Sequence, residues 1–380
     1  MKKRRYSLVQ RVLIKSNAML YTVVGKVADV CRRIGITGSF PYSVDGHYGD
    51  IIEVSVPYPV NFHSEDEHWF SGWKSYVTFT HDFYCAKDVS LTSDGIVLRK
   101  HLTFIKTLPH PVFRYKYGIL YNLKSRIVYK HVKSDSSKKY LLLFDNWSWN
   151  NYFHWIIDSL CRAELIRTHL REEFTVVLPK ASPSYLTETL KLYGYNDFEY
   201  LPERSMIKLD SVYSMNYAAW SGQQHPAVLQ SMVEHVISKL GIEASIPSKR
   251  IYISRSKQYS RRVSNEHALM SVLEKYGFEV HYFEGMPFAQ QVALMQSATH
   301  FVTSHGANMT NLIFLPRGAT VFELLTNHKP NFCYWSVASN LHLDYYYQLC
   351  EIASADHLQV DIATFENNLR RILSVDTSKE

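Results

Sequence analysis

The feature that most constrains this chain is a run of four apolar strands separated by helical segments in its C-terminal half. Strands are expected at Arg250–Ser254, Phe278–Phe283, His300–Ser304 and Thr320–Leu325. Helices are expected between them at Asn265–Tyr276, Pro287–Ser297 and, shorter, after Ala307. The strands recur every 20–28 residues, the spacing that right-handed parallel crossovers require. A second alternation precedes this run: strand Tyr140–Phe144, helix Tyr152–Leu170, strand Phe174–Leu178, helix Ser184–Tyr193 ended by Gly194, and strands Phe198–Leu201 and Ser211–Met215. A turn-rich stretch Ser221–Pro226, a helix Val228–Leu240 and a loop Gly241–Lys249 connect the two.

Residues 40–130 carry only weak helical periodicity and read as short strands at Asp50–Val56, Tyr76–Thr80, Gly95–Leu98 and Gly118–Leu123. The expected organisation is therefore an α/β chain. Residues 1–35 form a basic amphipathic helix, and 36–240 an N-terminal domain, β-rich over 36–135 and α/β over 136–240. Residues 241–350 form a C-terminal α/β domain and 351–380 a helical tail. Two α/β halves with a hinge imply a cleft, and open parallel sheets bind ligands at the carboxyl ends of their strands.

Charge is unevenly placed. The chain has a formal net charge of +7, yet residues 1–33 alone hold nine basic side chains against one acid, Asp29, so the body is close to neutral. From Leu8 to Ile34 apolar residues recur at helical spacing, with Arg11, Lys15, Lys26 and Arg33 on the other face. Such a helix suits an anionic membrane surface and equally a docked helix with a solvated basic rim. Nucleic acid is disfavoured, because no recognised nucleic-acid module accompanies the arm. Ser16–Gly25, the most apolar early stretch, is ten residues long, too short to span a bilayer, which takes roughly 20. The five cysteines are odd in number and contain no CxxC pair, which fits reduced thiols in a cytoplasmic protein better than a disulfide framework or a zinc site.

Three stretches carry candidate chemistry. The first is Thr303-Ser-His-Gly-Ala-Asn-Met-Thr-Asn311, where an apolar strand turns into a helical stretch. Small residues at Gly306 and Ala307 allow close backbone approach, and free N–H groups at a helix start attract phosphate. His305, Thr310 and Asn311 add hydrogen-bonding groups. A tight strand-to-helix turn with local caps would look the same, and the stretch is neither GxGxxG nor a Walker sequence.

The second is the basic cluster Ser254-Arg-Ser-Lys-Gln-Tyr-Ser-Arg-Arg262, placed by the carboxyl-end rule at the same cleft mouth; Arg suits bidentate phosphate contacts. The third is Asn151-Tyr-Phe-His-Trp-Ile-Ile-Asp158, with His154, Asp158 and Arg162 one helical turn apart. A His beside a carboxylate can accept a proton from a hydroxyl nucleophile; a His satisfied in an aromatic cluster is the bland alternative. Other reactions fit poorly: there is no GxSxG elbow, no HExxH and no DxD triplet.

Taken together, these elements resemble glycosyltransferase family 61, a group found in capsule and lipopolysaccharide loci. The resemblance rests on Asn151–Asp158, Ile251-Tyr-Ile-Ser-Arg255 with Arg262, Asn265-Glu266, Gly277–Val280, Phe288–Val292, His305–Asn311, Phe314–Pro316 and Phe322-Glu323. It runs over about residues 140–330. One departure is Asn308, where the family loop usually has glycine.

The resemblance implies a GT-B architecture, two Rossmann-like domains facing a cleft, and sugar transfer from a nucleotide-diphosphate donor, UDP-sugar favoured, with inversion and without an obligatory metal or other cofactor. It implies His154 and Asp158 as the catalytic pair on the N-terminal side. Arg255, Arg262, His305, Gly306, Ala307, Asn308, Thr310 and Asn311 would hold the donor; Glu284 or Glu323, each at or near a strand end, would meet ribose or donor-sugar hydroxyls or else serve as a structural cap. The acceptor would be a glycan or lipid-linked glycan. The absence of a leader or anchor suggests a cytoplasmic bacterial member, peripheral on the inner membrane face through residues 1–33. The alternative is a GT-B-like protein that binds polysaccharide or nucleotide without transfer.

Overall fold

The computed structural model describes residues 42–100, 102–104, 119–170, 172–243 and 246–376. The expected N-terminal basic helix lies outside them. The chain divides into two compact units, neither of them continuous in sequence. Among the described residues, one unit comprises 42–49, 80–150 and 165–220, and the other comprises 50–79, 151–164 and 221–376. The expected division at residue 240 differs from this: 50–79, 151–164 and 221–240 all group with the C-terminal sheet.

That sheet has six strands: β1 (Lys249–Ile253), β2 (Phe278–His281), β3 (Ala298–Ser304), β4 (Thr320–Thr326), β5 (Asp344–Ser354) and β6 (His357–Gln359). Their order is β2-β1-β3-β4-β5-β6. The first five are parallel, and β6 closes the edge as an antiparallel hairpin partner of β5. The chain direction of strand addition reverses between β1 and β3, so the crevice of this doubly wound sheet opens at their carboxyl ends. Those ends are Ser254–Arg255 and Ser304–Gly306.

The central strands are buried on both faces, which explains their unbroken apolar runs. Helices Glu266–Lys275 and Ile362–Asp376 cover one face, packing Leu269, Leu273, Phe365 and Leu369 onto Tyr252, Val302 and Phe322. Asn265 fixes the entry to the first of these helices through two hydrogen bonds with Val360, and the Tyr252 hydroxyl donates to Glu266 at 2.7 Å. Asn265 and Glu266, two residues of the family resemblance, thus have structural work here. The expected helical tail begins later than residue 351, because β5 continues to Ser354 and turns into β6; the helix starts at Ile362.

The other unit is built on one mixed nine-stranded sheet. Phe198–Leu201, Thr175–Pro179, Tyr140–Leu142 and Ser205–Met215 run parallel in that order. Ser205–Met215 then pairs antiparallel with His81–Thr92, which continues to Val97–Arg99 and Leu102–Thr103. The β-rich and α/β stretches expected as separate parts therefore share one sheet.

The strand expected at Gly118–Leu123 is replaced by the helix Ile119–Val128. Asn122 and Ser125 are buried, Ser125 Oγ donates back to the Tyr121 carbonyl, and Arg126 Nε donates to Asn122 Oδ1. These i,i+4 contacts are available only in a helix. Among the described residues, no helix is long and apolar enough to cross a membrane.

Candidate active site

The crevice end of the six-stranded sheet brings the Arg255 and His305 stretches together. Ser304 Oγ donates to the Arg261 carbonyl at 2.9 Å, tying the loop after β1 to the end of β3. Arg255 is only 4% exposed. Its Nη2 donates to the Ser260 carbonyl at 3.3 Å, while Nε and Nη1 are buried without a hydrogen-bond partner. Burial, and after it the neighbouring Arg261, push its pKa down from the usual guanidinium range. A buried cation with unfilled donors is costly, and an anion would satisfy it.

The guanidinium lies over the turn itself. A Cβ at residue 306 would meet Arg255 Nη1 at 2.3 Å, so Gly306 leaves the space that the arginine occupies. A 3₁₀ helix, Ala307–Phe314, starts directly after it, and the first N–H groups of such a helix have no intrahelical partner. The Tyr334 hydroxyl donates to the Gly306 carbonyl at 2.7 Å, turning the peptide so that its carbonyl faces the core.

His305 lies beside a cavity of about 440 Å³ lined also by Arg261, Thr326, Lys329, Asn331 and Asp356. The loop after β4 and the β5–β6 turn, which supply Lys329, Asn331 and Asp356, carried no signal in the sequence pattern. Arg261 lines this cavity with φ of 55°, whereas Arg262 is exposed and hydrogen bonded to His357. Of these two arginines, both expected at the cleft mouth, Arg261 therefore lines the cavity and Arg262 does not.

Other expected ligand contacts are replaced by internal bonds. Asn311 is fully buried; its Oδ1 accepts from the Tyr152 hydroxyl at 2.5 Å and its Nδ2 donates to Gln291 at 2.7 Å. Thr310 is also fully buried, 3.4 Å from the Tyr334 hydroxyl. Glu323 has no exposed surface, and its two oxygens are bonded to His305 Nδ1 and the Tyr345 hydroxyl, each at 2.6 Å. These three side chains are buried and hydrogen bonded within the protein. Glu284 is half-buried and accepts from Gln258 Nε2, with its second oxygen unpartnered. Ala307 and Asn308 are half-buried at the turn, and Asn308 Nδ2 has no partner.

The third element belongs to the same unit. His154–Ser159 is a π-helical turn leading into the α-helix Leu160–His169, a conformation often found at functional sites. His154 Nδ1 lies 2.8 Å from Asp158 Oδ2. Asp158 is 3% exposed and is further held by Ser221 Oγ at 2.8 Å and Gln224 Nε2 at 2.9 Å. With every donor aimed at it, Asp158 is an acceptor; the His154 ring then carries its proton on Nδ1 and leaves Nε2 as the basic nitrogen.

Ser221 and Gln224 were not singled out by the sequence, since they sit in a turn more than sixty residues away. That turn depends on Gly222, whose φ is 87° and whose absent Cβ would lie 2.8 Å from Cys333 Cβ. Tyr334 packs edge-on against both Phe153 and His305, with ring centroids 5.2 Å away in each case, so one buried ring separates the two histidine loci. Among the described residues, no cluster of three His, Cys, Asp or Glu side chains is placed to hold a metal ion.

Comparison with known proteins bears on this site directly. The family model described as Glycosyltransferase 61 matches residues 152–322. Among curated proteins, the EGF domain-specific O-linked N-acetylglucosamine transferase of Drosophila melanogaster is 33% identical over 123 residues, 31% of this chain and 23% of the relative. The transferases of the same name from Pan troglodytes and Mus musculus are each 30% identical over 127 residues, 31% of this chain and 24% of the relative. The match thus spans about a quarter of these relatives' length. The matched span from Tyr152 to Phe322 includes His154, Asp158, Ser221, Arg255 and the His305 turn.

Proposed function

We propose that the chain is an inverting glycosyltransferase that moves a sugar from a nucleoside-diphosphate donor, with UDP-sugar first among the candidates, to a hydroxyl acceptor. In this reading it has a GT-B arrangement in which the six-stranded sheet is the donor side. The observation that carries the reading is Arg255, a buried guanidinium with two unfilled N–H donors over a glycine turn at the sheet's switch point. A diphosphate supplies the charge and acceptors that this group lacks.

The reaction is a direct displacement. His154 Nε2 takes the acceptor hydroxyl proton, the acceptor oxygen bonds to the anomeric carbon, and the bond from that carbon to the diphosphate breaks with its electron pair leaving on the phosphate. Asp158 holds the ring and stabilises the imidazolium that forms. Arg255, Arg261 and the N–H groups at the start of Ala307–Phe314 offset the leaving-group charge. No metal enters this scheme.

The test is melting temperature against UDP, GDP, CMP and dTDP, each with and without EDTA. A ligand at 100 times its dissociation constant adds about 2.7 kcal/mol. Stabilisation by one nucleotide, insensitive to EDTA and lost in Arg255→Ala, is expected. No shift with any nucleotide would overturn the donor-site reading and favour a fold that has lost transfer.

Two acceptor classes follow from different observations. The relatives' names specify EGF domains, which favours a hydroxyl on a folded protein domain. The basic segment 1–33 favours instead a lipid-linked glycan at an anionic membrane surface, as in capsule or lipopolysaccharide synthesis on the cytoplasmic face. Transfer of radiolabelled sugar to a purified EGF domain, run beside a lipid-linked oligosaccharide in anionic vesicles, separates the two.

A further inference from the structure

We infer that His305 reads a hydroxyl group of the donor rather than its phosphates, and that Glu323 is the residue that positions it to do so. The inference rests on the donor-site reading above. Glu323 lies on β4 opposite Thr303 of β3, with no exposed surface. The Tyr345 hydroxyl, on β5, bonds to its Oε2 at 2.6 Å. Burial, reinforced by the Glu323 charge, pushes the Tyr345 pKa far above the usual phenol range, so this hydroxyl keeps its proton and donates. The other carboxylate oxygen lies 2.6 Å from His305 Nδ1.

A carboxylate takes hydrogen bonds and gives none, so the proton between them belongs to Nδ1. With the ring neutral, that is its one N–H, and Nε2 is an acceptor. The ring cannot easily exchange its two nitrogens. Its backbone N–H is bonded to the Leu324 carbonyl at 2.9 Å, and Tyr334 packs edge-on against it at 5.2 Å. No hydrogen bond within the described residues occupies Nε2, and the ring borders the 440 Å³ cavity.

Around that cavity the phosphate-seeking groups are already present in Arg261 and Lys329, with Arg255 over the adjoining turn. A phosphate oxygen has no proton to offer an acceptor nitrogen. A hydroxyl does, and a nucleotide-sugar presents hydroxyls on its ribose and on its sugar. Glu323 thus acts through His305 and touches no ligand itself.

The experiment is calorimetric titration of the full chain at one pH with UDP, 2′-deoxy-UDP, 3′-deoxy-UDP, UDP-N-acetylglucosamine and inorganic pyrophosphate. It compares wild type with His305→Ala and Glu323→Gln. If the hydroxyl is on ribose, one deoxy analogue binds wild type at least about tenfold more weakly than UDP. His305→Ala then abolishes the difference and leaves pyrophosphate affinity within about twofold. If the hydroxyl is on the sugar, the analogues bind alike, and His305→Ala instead removes the preference for UDP-N-acetylglucosamine over UDP.

Glu323→Gln keeps the size but offers an amide N–H to Nδ1. It is expected to mimic His305→Ala and to move the ring ¹⁵N shifts of His305 from the Nδ1–H to the Nε2–H pattern. Should that variant not fold, His305→Ala, whose ring lines the cavity, and the wild-type ¹⁵N shifts decide the point. An Nε2–H pattern in wild type overturns the inference. So does a loss of pyrophosphate affinity in His305→Ala as large as the loss of UDP affinity, or equal binding in both comparisons. Wild type that binds none of these ligands, pyrophosphate included, removes the donor site itself and this inference with it.

Discussion

The Arg255 guanidinium occupies the space that a side chain at Gly306 would need, with Nη1 only 2.3 Å from the position of a Cβ. The obstructed atoms are the far end of a flexible side chain, so the arginine rather than the backbone would give way. Gly306 has φ of 158° and ψ of −178°, a region essentially reserved for glycine, so Gly306→Ala is expected to lower the melting temperature and to weaken nucleotide binding about tenfold, the scale of one charge-assisted contact. Calorimetry beside a thermal melt checks both halves; unchanged nucleotide affinity would detach the turn from the phosphate site.

Asp158 accepts from three side chains, and replacing it changes the tautomer that His154 adopts. Asp158→Asn should lower turnover by at least ~10² while nucleotide affinity stays within twofold, because a mispositioned base affects the chemical step alone. Ser221→Ala and Gln224→Ala each leave the His154 contact in place and should cost less. Steady-state rates on the variants, with separate nucleotide titrations, provide the comparison.

Asn311 links Tyr152 to Gln291 inside the core. Asn311→Ala removes two hydrogen bonds to half-buried partners, each worth about 0.5–1.5 kcal/mol of stability. Urea denaturation should register that loss. Nucleotide affinity measured on the folded fraction should not change, contrary to what a ligand contact at 311 would give.

The C-terminal helix carries a pH-dependent link to the helix Glu266–Lys275. Hydrogen bonds from Lys275, then Arg370 and Tyr276, hold the Glu366 carboxyl down at about 2. A carboxyl depressed on folding stabilises the native state above its unfolded value, and that contribution fades as pH falls toward the folded value. The melting temperature of Glu366→Gln should therefore lie below wild type by a constant margin above about pH 5. The two should converge as pH falls toward 2. A margin independent of pH would mean that the charge is not what the helix uses.

Local pattern made β1 to β4 and their helices legible, because each strand is a short apolar run buried on both faces and each helix carries its own period. His81–Thr92 escaped because Lys87 and Asp88 interrupt its apolar run, Asp88 with φ of 51°. β5 escaped because Tyr345, Tyr346 and Tyr347 fit either a strand or a helix until paired with β4. At the site, Arg255 and His305 could be found because strand ends announce themselves in sequence. Ser221 and Gln224 could not, since their only signal is contact with Asp158 more than sixty residues away. The interior position of Glu323 likewise depends on Tyr345, a partner on the neighbouring strand.

The unit that holds the candidate site borrows residues 151–164 from the middle of the chain. A recombinant joined anywhere between residues 165 and 220 would take His154 and Asp158 from one parent, and from the other Ser221, Gln224, Arg255 and the turn at His305. His154 and Asp158 would then differ in ancestry from Ser221 and Gln224, which donate to Asp158. Such a chimera changes donor recognition only if the two lineages agree on how an aspartate is held, so this turn of helix and the C-terminal sheet are heritable together or not at all.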